Sequence, residues 1–175
     1  MSTPGRGPDS DVGPGSGAGS GAGSGAGPGT GPDSGAAPAW GDRPLPFPDS
    51  VSRPFFEAAA AGRLELQRCR ECSGSVFYPR PFCPACGGEL DWVEASGRGR
   101  VHTYTVVRQN LSRAFRDKVP YVVAMVDLDE GARMMGNVIG CEVEEVFIGM
   151  PVEAVLVKAS EGIGMPLWRP VRGES

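Results

Sequence analysis

The chain has 175 residues, of which 27 are glycine and 17 proline, a share close to the level at which low complexity sets in. Thirteen of the glycines fall within residues 1–39, which hold no aromatic side chain; about 125 residues are left to fold, which excludes a large multidomain catalyst. The net charge of −4 divides into −3 over residues 1–50, from two Arg against five Asp, and −1 over 51–175, from 15 basic against 16 acidic side chains, a balance that disfavours a general polyanion binder.

No apolar core follows the N-terminal Met1-Ser2-Thr3-Pro4, and no stretch approaches the ~20 apolar residues of a membrane span. The expected setting is therefore the reducing cytoplasm, with no membrane partner. Residues 16–27 repeat Ser-Gly-Ala-Gly three times between Pro14 and Pro28. Too few units are present for a stacked sheet, and the composition predicts a solvated, disordered tail over residues 1–50. Within it, Trp40, Leu45 and Phe47 among alternating prolines have the pattern of an extended arm.

Ser52-Arg53-Pro54 reads as an N-cap with an early proline, Phe55 to Ala61 is helix-prone, and Gly62 ends it. This docking helix, residues 51–63, has about two turns and is too short to stand alone in water. It must bury Phe55, Phe56 and Ala59 in this chain's own core or in a partner's groove, where Phe55 and Phe56 would be the docking residues.

Leu64 to Gln67 alternates as a strand and opens a zinc-ribbon segment, residues 64–94. Cys69-x₂-Cys72, ten residues, Cys83-x₂-Cys86 is the most specific signal in the chain. Each pair holds a tight turn whose two sulfurs face one metal, and two turns complete a tetrahedron with Zn–S near ~2.3 Å. Gly74, Pro84, Gly87 and Gly88 supply turn backbone, and Tyr78 to Pro81 bridges the turns. All four positions are filled by protein, so one structural Zn²⁺ per chain is expected rather than a catalytic one. Disulfides are the alternative in an oxidising compartment, and iron fits the same sulfurs.

Residues 95–172 alternate in short runs, Val101–Val107, Tyr121–Leu128, Met134–Ile139, Val152–Val157 and Pro166–Val171, with a helical piece near Glu144 to Phe147. Five strands of this size predict a mainly β chain with a five-stranded OB-type barrel. Arg108 to Pro120 is its longest loop.

Self-sufficient catalytic chemistry is not legible. His102, the one histidine, lies within an alternating strand, and Cys141 sits beside Glu142, Glu144 and Glu145, where nothing favours a thiolate. From Arg98 to Lys118 six basic residues face one acid, whereas Asp127 to Glu145 holds six acids against Arg133. Two solvated faces account for this asymmetry. An anion-binding surface through Arg98, Arg100 and Arg108 accounts for it too, and would suit a coenzyme A thioester or a single nucleic-acid strand. The strand is the weaker alternative, since Tyr104 and Phe115 are the aromatics of that segment.

Leu66 to Cys72, Pro79 to Gly87 and Gly97-x-Gly99-x-Val101-His102-Thr103-Tyr104-Thr105 resemble one family, as do Pro120 to Ala124, Leu128 to Gly131 and Ile148 to Val152. It is the family of rubredoxin-like zinc ribbon and OB-fold proteins, catalogued as a domain of unknown function, that accompany thiolase-like enzymes. The resemblance covers residues 53–171. It implies a non-catalytic accessory subunit in a hetero-oligomer with a thiolase, synthase or aldolase acting on acyl-CoA, with zinc held by Cys69, Cys72, Cys83 and Cys86. It implies no catalytic residue, and an early expectation for such proteins was nucleic-acid binding.

Overall fold

The cap of the first helix is not the expected one. A computed structural model describes residues 39–171, and in it Asp49 Oδ1 accepts from the N–H groups of Val51 (3.1 Å) and Ser52 (2.7 Å) and from the Ser52 hydroxyl (2.6 Å). Ser52 is buried with a helical backbone, and its hydroxyl, committed to Asp49, makes no bond to the helix donors ahead of it. The tail and its repeats lie, for residues 1–38, outside the described residues.

The helix α1 (Arg53–Ala60) ends where Gly62 adopts φ +83°. Its N–H donates to Ala59 O (3.1 Å) and that of Arg63 to Ala58 O (2.9 Å), a Schellman turn that a side chain at Gly62 would strain. Phe55 and Phe56 are 2% and 3% exposed. Their rings meet edge-on at 5.1 Å, and Phe55 also packs at 5.3 Å on Phe77. Of the two covers expected for these rings, the structure shows this chain's own core. Burying each contributes about 1.5–3 kcal/mol to this chain's own fold, and their remaining edges line a groove with Phe77 and Met165.

Three strands form the ribbon sheet. β1 (Glu65–Cys69) is central, flanked by β2 (Ser75–Val76) and β3 (Leu90–Glu94), with Gln67 opposite Val76 and Leu66 opposite Val93. Two residues are too short a run to show alternation, which is why β2 escapes a reading of the sequence.

Five further strands close a barrel in the order β4-β5-β6-β8-β7: β4 (Arg98–Val107), β5 (Tyr121–Leu128), β6 (Arg133–Val138), β7 (Pro151–Ser160) and β8 (Ile163–Pro170). All pairs are antiparallel except β6 with β8, which meet at Val138 and Trp168. Long β4 serves two neighbours, pairing Arg98 and Arg100 with β7 and Gly99 to Val107 with β5. Inward positions of β5 are Val122, Ala124, Val126 and Leu128, all buried. Trp168 is fully buried, and its indole passes so near Gly136 that a Cβ there would lie 2.7 Å from Nε1.

One core spans the helix, the first ribbon strand and the barrel, and a second, small cluster of Cys69, Val76 and Cys83 lies at the sulfurs. Leu64 and Leu66 join Val101, Met134 and Trp168 in the larger one, together with Phe55 and Phe56. Polar links cross the same junction: Ser75 Oγ donates to Glu130 O (2.7 Å) and Ala95 N–H to Leu64 O (2.8 Å). No helix among the described residues is long and apolar enough to cross a membrane.

Candidate metal centre and surface sites

The two cysteine turns repeat one backbone pattern. The Cys69 N–H donates to Gly74 O (3.0 Å) and Ser73 N–H to Cys69 O (3.0 Å); fourteen positions on, Cys83 N–H donates to Gly88 O (2.9 Å) and Gly87 N–H to Cys83 O (2.9 Å). The matching fifth positions, Ser73 and Gly87, both take positive φ, +58° and +78°. These turns bring Cys69 Sγ to 3.4 Å from Cys86 Sγ and Cys72 Sγ to 3.7 Å from Cys83 Sγ. All four sulfurs lie within 4.8 Å of one another, Cys69 and Cys83 buried, Cys72 and Cys86 exposed.

These residues fit a tetrahedral zinc. Four bonds of ~2.3 Å at tetrahedral angles place sulfurs about 3.8 Å apart, the scale observed. Disulfides do not fit, because the bond requires ~2.05 Å and all five cysteines are free. The thiols themselves are held unequally. N–H groups of Ala85 and Cys86 pull the Cys83 thiol down to about 7. Cys69, although the Cys72 N–H faces its sulfur, is pushed up to about 12 by desolvation and the neighbouring Cys86 and Glu71 side chains. A divalent cation replaces all four protons and removes this mismatch.

Gln67 is a part of the centre that the sequence reading missed. It is 5% exposed, and its amide grips the bridge between the turns: Nε2 donates to Arg80 O (2.9 Å) and Oε1 accepts from Arg80 N–H (2.7 Å). Alternation gave no signal for it, because Leu64 and Leu66 define the core face and assign Gln67 to the opposite face of β1 with Glu65 and Cys69. Arg70 braces the far side, its guanidinium bonded to Glu89 (2.6 Å) and Asp91 (2.7 Å), which holds the Asp91 carboxyl below its usual range.

The three arginines singled out from charge do not converge. Arg98 and Arg100 sit at the start of β4, whereas Arg108 follows its end, about 30 Å of extended chain away. Arg108 is 3.4 Å from Glu144, so the basic and acidic segments partly neutralise each other. Arg100 Nη1 donates to Gly149 O (3.1 Å), and neither Arg98 nor Arg100 has an ion pair among the described residues. Phe115 lies under the Arg43 guanidinium and against Tyr121, at 5.7 Å between rings, and is spent as a stacking platform.

His102 is exposed, with Nδ1 at 2.9 Å from Asp127 Oδ2 and 3.0 Å from Arg133 Nη2. The Arg133 side chain, bonded to Asp127 through Nε at 2.6 Å, keeps that carboxyl below its usual range. This cluster contains no nucleophile. Cys141 is half-buried, and burial followed by Glu145 and Glu142 pushes its thiol up, away from thiolate.

Comparison with known proteins matches residues 56–92 to the model of the ChsH2 rubredoxin-like zinc ribbon domain and residues 92–157 to that of the ChsH2 C-terminal OB-fold domain. A probable enoyl-CoA hydratase alpha subunit of Thermomonospora curvata is 40% identical over 130 residues, covering 73% of this chain and 40% of that protein. A DUF35 domain-containing scaffold protein of Methanocaldococcus jannaschii is 42% identical over 97 residues, 54% of this chain and 67% of the relative. Among solved structures, a chain of the Ltp2-ChsH2(DUF35) aldolase superposes with a TM-score of 0.65 at 39% identity, over 71% of this chain and 98% of that one. The chain thus spans about 40% of the length of the hydratase subunit and nearly all of the aldolase chain.

Proposed function

The chain belongs to the DUF35 family, whose members join a rubredoxin-like zinc ribbon to an OB-fold domain, and on that premise we propose that it is an accessory, non-catalytic subunit of a thiolase-superfamily acyl-CoA enzyme. The observation that carries the reading is the closed four-sulfur centre. A tetrahedral ion held by these four sulfurs would have every position taken by a cysteine of this chain, so it would set the fold of the ribbon and leave no position for a substrate. Among the described residues the other reactive groups, His102 and Cys141, form no nucleophile–base pair. The chemistry then belongs to the partner, and this chain holds the assembly together. The names of its relatives, a scaffold protein, an aldolase and a hydratase subunit, support that division of labour.

Arg98 and Arg100, exposed at one end of β4 and without ion pairs, are the side chains this reading offers to the phosphates of a coenzyme A thioester. Arg108, held by Glu144, is not. The assembly is placed in the cytoplasm, where four cysteines stay reduced and available to a metal.

Purification of the tagged chain from its native cell tests the reading. An acyl-CoA enzyme is expected in stoichiometric amount, identified by mass spectrometry, and its activity is expected to be unchanged by Cys141→Ala. Recovery of the chain as a lone monomer, or turnover of an acyl-CoA by the isolated chain, overturns it.

A further inference from the structure

Outward positions on a small barrel in water are expected to be polar. Those of β5 before Asp127 are not: Tyr121, Val123 and Met125 point out, half-buried, between the buried Val122, Ala124 and Val126. Strand register extends them into rows, Thr103–Met125–Met135 and Thr105–Val123–Asn137. Met135 is 64% exposed. Beside the rows lies a groove of about 430 Å³ framed by Trp40, Phe77, Tyr121 and Met165, and it shares Val123 and Met135 with the open sheet face. Groove and face are one continuous apolar surface.

The rim of that surface is basic. The loop 108–120 presents exposed Arg113, Arg116 and Lys118 against the single acid Asp117. Arg43 lies 5.1 Å above the Trp40 ring and 6.0 Å from Phe115, both groove residues, and adds a further positive charge at the groove.

We propose that this surface, the outer face of β4–β5–β6 with the adjoining groove, docks the enzyme subunit through an apolar segment flanked by carboxylates. The inference rests on the accessory-subunit reading and names the face it uses. Aromatic, methionine and arginine side chains together are the composition of interface cores. An acidic flank on the segment complements Arg113, Arg116 and Lys118. A small apolar molecule would fill the groove but leave the Met125 and Met135 row wet, so a protein segment accounts for more of the surface.

The test uses the full chain and the enzyme recovered with it from the native cell. Met135→Glu, at an exposed strand position, is expected to keep the thermal midpoint and lose about thirtyfold or more in affinity for that enzyme, the scale of a central interface contact. Hydrogen exchange in the wild-type complex should slow over residues 121–125 and 133–137. Arg116→Glu with Lys118→Glu should slow association and abolish its sensitivity to salt. Wild-type binding with Met135→Glu within about threefold, or protection confined to other strands, overturns the docking face and leaves the accessory-subunit reading standing. Failure of the wild type to bind any acyl-CoA enzyme overturns both. A dimer of the chain alone that Met135→Glu dissociates assigns the face to a second copy, and a small apolar molecule seen by native mass spectrometry in the wild type and absent from Met135→Glu assigns it to a ligand; either outcome overturns the proposal.

Discussion

Asp127 is the residue whose electrostatics are easiest to isolate. Its carboxyl is lowered first by the hydrogen bond from Arg133, and then by the Arg133 and His102 charges, against a desolvation penalty. A depressed carboxyl contributes stability that is present above its unfolded value, near ~3.9, and is lost as pH falls through the folded value. Both side chains of the Arg133–Asp127 pair are 46% exposed, so solvent screens the gain and the measurable quantity is the titration itself. Carbon-detected NMR of the side-chain carboxyls should place Asp127 below the ordinary range in the wild type and move it up in Arg133→Gln; identical curves would sink the assignment. In the cysteine turns, Ser73 sits at φ +58° where the twin turn has Gly87 at φ +78°. A non-glycine residue there costs ~1–2 kcal/mol, so Gly87→Ala should lower the unfolding free energy by about that much in a denaturant titration with zinc present, whereas Ser73→Gly should not lower it. The cysteine quartet was legible because spacing alone encodes two turns around one ion. Gln67 was not, because its role depends on Arg80, thirteen positions away and adjacent only after folding.

At the level of elements, α1 shows what short-range pattern carries and where it ends. Its existence and its stop at Gly62 follow from propensity and a left-handed C-terminal residue. What its aromatic pair packs against does not, because an eight-residue helix has the same pattern whether its cover is internal or foreign. The structure gives an internal cover: Phe55 packs on Phe77 at 5.3 Å, and the helix lies on Gly164 of β8, where a Cβ would overlap the backbone of Ala59 and Ala60. Backbone does not yield as a flexible side chain does, so Gly164→Ala should cost about 1–3 kcal/mol by overpacking. Phe55→Ala should cost about 3–5 kcal/mol, a large part of a domain's ~5–15 kcal/mol. Both are read as midpoint shifts at unchanged slope in urea. Loss of partner binding by Phe55→Ala without loss of stability would return Phe55 to a docking role. The barrel strands were legible from alternation, β5 to its last residue, and their number and size pointed to a barrel, whereas the pairing that closes it was not. Closure depends on β4 pairing with β7 across some fifty residues of chain, a contact that no local window contains.

For the whole molecule the decisive fact is that the ribbon's first strand is built into the barrel core, beside a small separate cluster of Cys69, Val76 and Cys83 at the sulfurs. Leu64 and Leu66 lead into the metal site through β1 and pack with Val101, Met134 and Trp168 of the barrel. Cys69 ends the same strand. The sequence separates the two segments by composition, cysteine and turn residues first and β-branched runs after, and that contrast hides the shared interior. Coupling of this kind makes metal removal a test of the entire fold. Structural zinc contributes of order 10 kcal/mol to small cysteine-bound modules, and protons compete with it for the thiolates. At this chain length each kcal/mol lost lowers the thermal midpoint by roughly 4 °C, so partial loss of the zinc contribution is already visible. Stripping the metal with a strong chelator should therefore lower the midpoint of the whole chain by about 10 °C or more, in one transition seen alike by far-ultraviolet circular dichroism and by the fluorescence of buried Trp168. Cys83→Ser should reproduce the shift without chelator, and re-addition of zinc should restore the wild type but not the variant. A barrel that melts at its original temperature while the ribbon unfolds separately would mean that β1 is held by the metal alone, and its coupling to the barrel core through Leu64 and Leu66 would be wrong.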